Sequence, residues 1–310
     1  MNFSNIEYFI ATMEELNITR AANRLHITQQ TLSAQIAALE KELGCTLFYR
    51  KSPLVLTYAG TVFAKYAVNF MKNYESMKNE FSDICNEQSG KINVGVGYTR
   101  GRVLLPRIIK TFHEIYPLVD VNIIEGTNKD IQRMLVSDEI DVGFAYISEF
   151  LSNVEVEKYY EEEMCLLVSR ELMHNSFGRA ETGKILAGIH TGRDLSAVKN
   201  LPFIISDSND IAGKLGQNLL GQAGFTPNVK MESRNMELLL ELCLMGEGVC
   251  FCPEILFRNV LSSREQDMLY QIHFTEDARF DISIACPNKK YRPRFLEEFI
   301  ALAKQQIASV

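Results

Sequence analysis

The sequence has 310 residues, a hydrophobic content of 46% and a formal net charge of −7 at pH 7. This length is enough for two or three domains with hydrophobic cores, and the composition excludes a repetitive or disordered protein. No run of about 18 apolar residues occurs, and acidic residues interrupt the N-terminal apolar pattern, so neither a membrane span nor a signal peptide is expected. The seven cysteines are scattered without a metal-binding spacing, which is typical of a protein of the reducing cytoplasm.

A helix is predicted over about Asn2 to Leu16, because apolar residues recur there at helical spacing. These residues are Phe3, Ile6, Phe9, Ile10 and Met13. Two shorter helices are predicted between Thr19 and Gly44, where Thr19 and Thr28 are the expected N-caps. The second of them carries an apolar stripe that Gly44 ends in the usual C-terminal position. The stripe consists of Leu32, Ile36, Leu39 and Leu43.

The opposite face of this second helix carries short or amide side chains instead of alternating acidic and basic ones. It consists of Gln29, Gln30, Thr31, Ser33, Ala34, Ala37 and Lys41. Glutamine can form two hydrogen bonds with adenine in the major groove, so the face is suited to reading base edges. From these residues alone, an ordinary helical hairpin with a polar surface is the favoured interpretation. The residues that follow in the chain favour a DNA-reading helix instead.

Residues 47–57 predict a small β-hairpin, or wing, because two short apolar runs flank a turn that contains Ser52 and Pro53. Arg50 and Lys51 are expected at its tip. Basic side chains in that position can enter the minor groove beside a recognition helix. Without the preceding helices, a solvated surface turn would be the preferred interpretation.

This part of the sequence resembles the winged helix-turn-helix domain of LysR-type transcriptional regulators. The matching stretches are FIATMEELNITRAANRLHITQQTLSAQIAALEKELGCTLFYR and, after the wing turn, LTYAG. The chain departs from the family at Gln30, where proline is common, and at Ala34, where arginine is frequent. The resemblance implies a DNA-binding domain over residues 1–58 of a sequence-specific transcriptional regulator. The expected DNA contacts are Thr19, Arg20, Gln29, Gln30, Thr31, Ser33, Ala34, Arg50 and Lys51.

The charge of the predicted DNA-binding part is neutral. Through residue 60 there are five basic and five acidic residues, whereas residues 90–310 carry 24 basic and 30 acidic ones, a net charge of −6. Since phosphate neutralisation supplies much of the free energy of DNA binding, a single copy is expected to bind with modest affinity. Dimerisation would double the contacts and requires a two-fold related, inverted-repeat operator. RNA polymerase is left open as a further partner.

Residues 59–89 predict a long helix, capped by Thr57, with apolar residues alternately four and three positions apart. These residues are Phe63, Ala67, Phe70, Tyr74, Met77, Phe81 and Ile84. Pairing with a second copy is preferred over packing against the same chain, because such a helix is roughly 40 Å long. The resemblance also implies that this linker helix dimerises, and that dimers often assemble into tetramers.

From residue 90 onward, predicted strands alternate with predicted helices, which indicates a mostly parallel sheet covered by helices. The resemblance implies a two-lobed α/β effector-binding domain, similar to periplasmic binding proteins, over residues 90–310. We place the first lobe at residues 90–162 and 271–310 and the second at 163–270, with linker strands near 154–163 and 268–275. Residues 173–200 are longer than expected and are interpreted as a surface loop, or alternatively as an elaboration near the ligand cleft.

Three segments combine hydroxyl or amide groups with a predicted strand end and the start of a helix, where unpaired N–H groups suit a small anion such as a carboxylate. The expected effector-binding residues are Thr99 and Arg100 after Tyr98, Gly126, Thr127 and Asn128, and Ser206, Asp207 and Ser208, with Tyr146 as a weaker candidate. Arg100 could pair with the anion. Asp207 would repel it unless the ligand also offers a hydrogen-bond donor. Each segment alone is also compatible with a simple helix cap.

Other functional classes find little support in the sequence. Gly95 and Gly97 are followed by Gly101, so the dinucleotide-binding spacing fails. Cys250 and Cys252 are interpreted as buried residues of an apolar strand, and a thiol redox sensor is kept as the alternative function. The dispersed histidines predict no metal site, no cofactor is expected, and no catalytic triad can be assembled. An enzyme or a solute-binding module with an assembly-only N-terminal part is the most distant alternative.

Overall fold

The computed structural model describes residues 2–51, 53–85, 89–192, 195–207, 211–274, 278–289 and 291–307. The side chains of residues 79, 82–85 and 190–192 lie outside that description. Over the described residues the chain divides into two compact units, residues 1–87 and residues 88–310.

The first unit contains α1 (Phe3–Glu15), α2 (Ile18–Arg24), α3 (Gln29–Leu43), β1 (Phe48–Tyr49), β2 (Val55–Leu56) and α4 (Tyr58–Cys85). The strands β1 and β2 pair antiparallel and form the predicted wing. Thr28 caps α3 as predicted, since its hydroxyl accepts a hydrogen bond from the Thr31 N–H at 3.1 Å. The predicted cap Thr19 is wrong. Asn17 caps α2 instead, because its side chain accepts from the Arg20 N–H at 3.0 Å.

The core of the first unit lies between α1, α2, α3 and the start of α4. Leu32, Ile36 and Leu39 are buried as predicted, whereas Leu43 is 39% exposed because it lies in the last turn of α3. Gly44 ends α3 with a left-handed φ of 69°. Gly60 permits the close approach of α4 to the wing, because an added Cβ would lie 2.1 Å from the carbonyl oxygen of Leu47.

The apolar seam of α4 has two parts. Its first part packs within the same unit: Phe63 makes an edge contact with Phe9 at a centroid distance of 4.7 Å, and Ala67 is 2% exposed. Tyr74 stacks on Phe3 at 4.3 Å. These three residues therefore make contacts within their own chain, and pairing of α4 with a second copy stays a prediction. Further along α4 and on its outer side, apolar residues are exposed. They are Phe70 at 53%, Met77 at 45% and Phe81 at 59%, while the side chain of Ile84 lies outside the described residues.

The second unit begins with a sheet whose strands are β3 (Gly90–Val96), β4 (Val119–Glu125), β5 (Val142–Tyr146), β6 (Val154–Ser169), β10 (Leu269–His273) and β11 (Arg279–Pro287), with β9 (Cys250–Pro253) also paired to β6. Its order along the described residues is β10-β6-β11-β5-β3-β4. Only the pairs of β3 with β4 and β5 are parallel in the described part of this sheet, so the expectation of a mostly parallel sheet is wrong here. Another sheet pairs β7 (Pro202–Ser206) with β8 (Asn228–Ser233) in parallel.

The long strand β6 connects the two sets of elements in this unit. Residues 154–163 of β6 pair with β11, and residues 164–169 pair with β9 and β10. The helices around the sheets are α5 (Tyr98–Ile115), α6 (Asn128–Val136), α7 (Arg170–Phe177), α8 (Arg179–Gly192), α9 (Ile211–Gln222), α10 (Met236–Leu244), α11 (Glu254–Val260), α12 (Ser263–Gln266) and α13 (Arg294–Ile307).

Residues 173–200 are mostly helical, so their interpretation as a surface loop is wrong. The helices α7 and α8 occupy most of the segment. Met173 and Thr182 are buried, and the Thr182 hydroxyl donates to the carbonyl of Gly178 at 2.8 Å. The segment therefore forms part of the packed structure of the second unit.

Among the residues that the structure describes, no helix combines the length and the apolar character needed to span a lipid bilayer.

Candidate functional site

The polar face of α3 is presented to solvent. Gln29, Gln30 and Ala34 are exposed, and Ser33 is half-buried. The Thr31 hydroxyl lies 2.8 Å from that of Thr28, so it belongs to the helix cap more than to a free recognition surface. The face offers amides and small side chains at the N-terminal end of the helix, which is where a recognition helix contacts base edges.

The basic side chains near this face differ in how closely they contact carboxylates and carbonyl groups of the same chain. Arg20 donates to the carbonyl of Glu15 at 2.5 Å and lies 3.4 Å from its carboxylate. Arg50 of the wing is 71% exposed, and its contact with the Glu40 carboxylate is long, at 3.8 Å. Lys51 and Thr19 are exposed. Arg50 is thus more available for an external phosphate than Arg20 is.

Glu40 attaches the wing to α3. Its Oε1 accepts hydrogen bonds from the N–H groups of Leu47 at 2.7 Å and Phe48 at 3.2 Å. This carboxylate therefore fixes the position of β1 relative to α3 within the first unit, and Arg50 follows directly after β1. The predicted turn residue Ser52 lies outside the described residues.

In the second unit, a cavity of about 160 Å³ brings together several of the predicted effector-binding residues. Those that line it are Thr99, Arg100, Gly126, Thr127, Asn128 and Asp207. Tyr98, Thr99 and Arg100 were expected to precede the start of a helix. They form the first turn of α5 instead, after the N-cap Gly97. Among the described residues no side chain caps α5, so the N–H groups of its first turn have no side-chain partner there. This end of the helix lines the cavity.

Two lining residues serve mainly to build the cavity. The Thr127 hydroxyl donates to Asp130 at 2.6 Å in a capping box. The Asn128 Oδ1 accepts from the N–H of Tyr146 at 3.0 Å. Contacts with a ligand are therefore better assigned to Thr99 and Arg100 than to these two side chains.

Some predicted effector residues do not reach the cavity. Tyr146 lies behind it, with its ring against Phe280 at a centroid distance of 5.7 Å. Ser206 lines a separate cavity between α9 and β7. Ser208 lies outside the described residues. Of residues 173–192, none of the described side chains lines the main cavity, so the alternative of an elaboration near the cleft is not borne out there.

The floor of the cavity holds a chain of hydrogen bonds that the sequence analysis missed. Arg100 Nε donates to the Tyr160 hydroxyl at 3.3 Å, and that hydroxyl donates to Glu162 Oε2 at 2.9 Å. Glu162 also accepts from the N–H of Ile255 at 3.3 Å and is 3% exposed. Burial raises the pKa of the Glu162 carboxyl above its ordinary value, although Arg100 and the two hydrogen bonds oppose the rise.

The opposite wall holds an ion pair that reduces the repulsion expected between Asp207 and an anionic ligand. Arg234 Nε lies 2.5 Å from Asp207 Oδ2, so the negative charge of Asp207 is already paired. The hydrogen bond and the charge of Asp207 raise the pKa of Arg234. The remaining lining is largely apolar. It comprises Ile211, Ala212, Met236, Pro253, Ile255 and Phe280.

A sequence signal for Glu162 did exist. Glu162 lies between Glu161 and Glu163. Successive residues of a strand point to opposite faces, so at least one of these three carboxylates had to face the interior. Arg234 and Phe280 gave no comparable signal, because they reach the cavity only through long-range pairing of strands.

The described cysteines are poorly suited to peroxide chemistry. Cys165, Cys243, Cys250, Cys252 and Cys286 are buried, and Cys45 is exposed. Burial raises the pKa of Cys252 and of Cys165, and raises that of Cys286 to about 11. Contact with Cys243 and burial raise the pKa of Cys250. Cys165, Cys250, Cys252 and Cys286 are therefore protonated near pH 7, and the thiol is a much weaker nucleophile than the thiolate.

Comparisons with known proteins agree with this arrangement. The chain is 26% identical over 270 residues to the uncharacterized HTH-type transcriptional regulator YcgK of Bacillus subtilis (strain 168), covering 84% of this chain and 82% of that protein. It is 28% identical over 269 residues to the hydrogen peroxide-inducible genes activator of Pectobacterium carotovorum subsp. carotovorum, covering 86% and 83%.

Similar folds occur among solved structures. One is full-length CbnR complexed with its target DNA, with a TM-score of 0.66, 21% identity and coverage of 98% of this chain and 99% of that chain. Another is full-length BenM, with a TM-score of 0.54, 24% identity and coverage of 100% and 97%.

Two family descriptions match the chain directly. Residues 3–61 match the bacterial regulatory helix-turn-helix proteins of the lysR family, and residues 86–308 match the LysR substrate binding domain. The resemblance seen in the sequence is thereby confirmed, and the chain belongs to the LysR family of transcriptional regulators, with an N-terminal helix-turn-helix domain and a C-terminal two-lobed effector domain.

Proposed function

We propose that the protein regulates transcription by binding an inverted-repeat operator as a homodimer or a homotetramer, under the control of a small carboxylate in the cleft of the second unit. The exposed polar face of α3 and the exposed Arg50 support DNA reading. The complex of CbnR with its target DNA shows a protein of similar fold in that role. We further propose a cytoplasmic location, no catalytic activity, and RNA polymerase as a further partner.

The domain division belongs to the same proposal: residues 1–58 for the DNA-binding domain, 59–89 for the linker helix, and 90–310 for the effector domain. The change of partners along β6 between Glu163 and Met164 supports a lobe boundary there. It agrees with a first lobe of residues 90–162 and 271–310 and a second lobe of 163–270.

The observation that carries the ligand proposal is the pairing of Arg100 with the uncapped start of α5 in one cavity. A guanidinium and a row of backbone N–H groups both favour a carboxylate. The volume of about 160 Å³ is below that of a drug-sized pocket, so a small metabolite is the better fit. The apolar side chains of Met236, Ile255 and Phe280 suit a hydrocarbon part of the ligand.

Ligand control requires only that two arrangements of the lobes bind the ligand with unequal affinity. The cavity has Arg100 on α5 and the Asp207–Arg234 pair after β7 and β8, so a ligand between them contacts both lobes. Closing around a carboxylate would shift the population toward the closed arrangement. That shift is the change that the DNA-binding domains would sense.

A calorimetric titration of the full-length protein with a panel of small carboxylates tests the ligand proposal. At least one compound should bind, and Arg100→Gln should weaken its binding by about tenfold or more, since charge-assisted hydrogen bonds contribute about 1.5–3 kcal/mol. The matched control is Arg107→Gln, an exposed arginine of the same helix outside this cavity, which should leave binding unchanged. Equal loss in both variants, or no loss in Arg100→Gln, would refute the assignment of Arg100.

A further inference from the structure

Four side chains with metal-binding atoms converge beside the strands that connect the two lobes. They are Glu163 and Cys165 of β6, His273 of β10 and Glu254 at the start of α11, and one ligand atom of each lies within 4.8 Å of all the others. His273 Nδ1 is 3.3 Å from Cys165 Sγ and 2.8 Å from Glu163 Oε1. The sequence predicted no metal site, because these residues are far apart in the chain.

Strand pairing explains the convergence. His273 of β10 is directly opposite Cys165 of β6, and Glu163 lies two residues before Cys165, on the same face of the strand. On the other side of β6, Pro253 is opposite Met164, which brings the following residue Glu254 next to the cluster. The four positions are therefore set by backbone hydrogen bonds and do not depend on flexible loops.

The donor atoms match one class of ion. Binding of the ion would release the proton of the Cys165 thiol. A thiolate, an imidazole nitrogen and carboxylate oxygens are the ligands of Zn²⁺, whereas Mg²⁺ and Ca²⁺ prefer oxygen alone. Ligands on a tetrahedron around Zn²⁺, at bond lengths of about 2.0–2.3 Å, lie roughly 3.3–3.8 Å apart. The observed distance of 3.3 Å from Cys165 Sγ to His273 Nδ1 fits that spacing, and one ligand atom of each of the four residues lies within 4.8 Å of the others.

The carboxylates are also held in place from behind. Arg279 Nη2 contacts Glu163 Oε2 at 3.0 Å, while Oε1 of the same carboxylate faces His273. Arg258 Nε contacts Glu254 Oε1 at 2.5 Å. Orientation of ligands by further hydrogen bonds is a regular property of metal sites. A second cavity of about 560 Å³, lined in part by Glu163 and Glu254, gives an ion access from solvent.

We propose that Glu163, Cys165, Glu254 and His273 form a binding site for a zinc-class transition-metal ion at the junction of the lobes. The site is distinct from the effector cavity but is built on the same strands. Glu162 and Ile255 line the effector cavity and the second cavity, whereas the adjacent residues Glu163 and Glu254 line only the second cavity. A bound ion would tie β6, β10 and α11 together directly behind the cavity.

The test is a titration of the chelator-treated full-length protein with Co²⁺, a spectroscopic substitute for Zn²⁺. The expected result is saturation at one equivalent per chain, with a thiolate-to-cobalt charge-transfer band that Zn²⁺ then removes by displacement. His273→Gln should weaken binding by at least about tenfold, as loss of a ligand should cost no less than loss of a group that merely orients one. His273 is a suitable site for substitution because its side chain is 37% exposed.

Two control variants keep the test specific. His174→Gln removes a histidine that is bound to the Tyr270 hydroxyl at 3.0 Å outside the cluster, and should leave cobalt affinity unchanged. Cys252→Ser removes a buried thiol adjacent to Cys165 across the strands, and should leave the charge-transfer band in place. Absence of the band in the wild type, or an unchanged band and affinity in His273→Gln, would overturn the proposal and leave a plain hydrogen bond between Glu163 and His273.

Discussion

Glu162 is a buried carboxyl at the floor of the effector cavity, and its protonation should influence the stability of the second unit. Burial raises its pKa in the folded protein above the ordinary value of 4.5. Between these two pKa values the folded state holds a proton that the unfolded state has lost, so the free energy of unfolding falls as pH rises through that window. The contribution of Glu162 to stability is fully present only below pH 4.5.

Glu162→Gln should therefore flatten the pH dependence of the free energy of unfolding from pH 4.5 upward. Urea unfolding of the full-length protein at a series of pH values measures this. Glu149→Gln, which removes an exposed carboxyl of the same unit, is the control and should follow the wild type. If the Glu162→Gln and wild-type profiles have the same slope, the buried carboxyl does not titrate as proposed.

Arg50 is the wing residue whose charge is most available to DNA. It is 71% exposed and its nearest described acidic partner lies 3.8 Å away. Arg50→Ala should weaken binding to all DNA sequences alike and reduce the slope of log K against log salt by about 0.9 for each wing that contacts a phosphate. Fluorescence-anisotropy titrations at several salt concentrations measure both effects. Lys184→Ala, which removes one positive charge from α8, should change neither, and an unchanged slope in Arg50→Ala would exclude a phosphate contact of the wing.

At the scale of elements, α4 has one apolar part used within its own unit and another that remains exposed. Met77 and Phe81 are 45% and 59% exposed, and both lie beyond the segment that packs on α1. Burying a large apolar side chain stabilises an interface by about 1.5–3 kcal/mol. These two residues are therefore the expected anchors of self-association.

The double variant Met77→Glu/Phe81→Glu should shift the chain toward monomers, with a dimer dissociation constant raised by at least about a hundredfold. Sedimentation equilibrium measures the association. Val136→Glu replaces an exposed apolar residue of α6 and serves as the control. Unchanged association in the double variant would move the dimer interface away from the end of α4.

Helix boundaries were largely predictable where side chains signal them. The side chains of Thr28 and Thr127 cap the starts of α3 and α6, and Gly44 ends α3 in a left-handed conformation. The sequence placed these helix boundaries correctly. The start of α5 was misplaced because Gly97 caps it with backbone alone. Asn17 and Thr19 are both good capping residues, so residue type could not decide between them. The helical character of residues 173–200 was also missed, since four glycines interrupt their pattern.

At the scale of the whole effector unit, an ion pair joins helices that belong to the two proposed lobes. Arg102 of α5 contacts Glu237 of α10, and both side chains are at least a third exposed. Exposed pairs contribute only about 0.2–1 kcal/mol, so the pair can bias lobe closure without locking it. Its loss should favour the open arrangement.

Arg102→Gln should therefore weaken the affinity for any carboxylate that closes the lobes by at most about fivefold. The charge-swapped double variant Arg102→Glu/Glu237→Arg should restore the affinity, and calorimetric titration measures both. If the double variant is as weak as the sum of the single changes, the two residues do not act as a pair.

The assembled sites were less predictable than the fold. The family resemblance gave the order of domains and the segments at the strand ends. Arg234 and Phe280 could not be placed, because they reach the cavity only through the pairing of β7 with β8 and of β6 with β11, which joins residues far apart in the chain. The cluster of Glu163, Cys165, Glu254 and His273 escaped the sequence analysis for the same reason.

The most direct test of the central claim is a DNase I footprint of the full-length protein on the DNA flanking its gene. Two protected half-sites related by two-fold symmetry are predicted, with their centres separated by whole turns of the duplex, about 10–10.5 base pairs each. In Gln29→Ala, protection should weaken most at the base pairs that α3 reads, with a loss of binding free energy of about 1–3 kcal/mol per half-site. Absence of any protected dyad, or protection of a single asymmetric site, would contradict the account of a paired DNA reader.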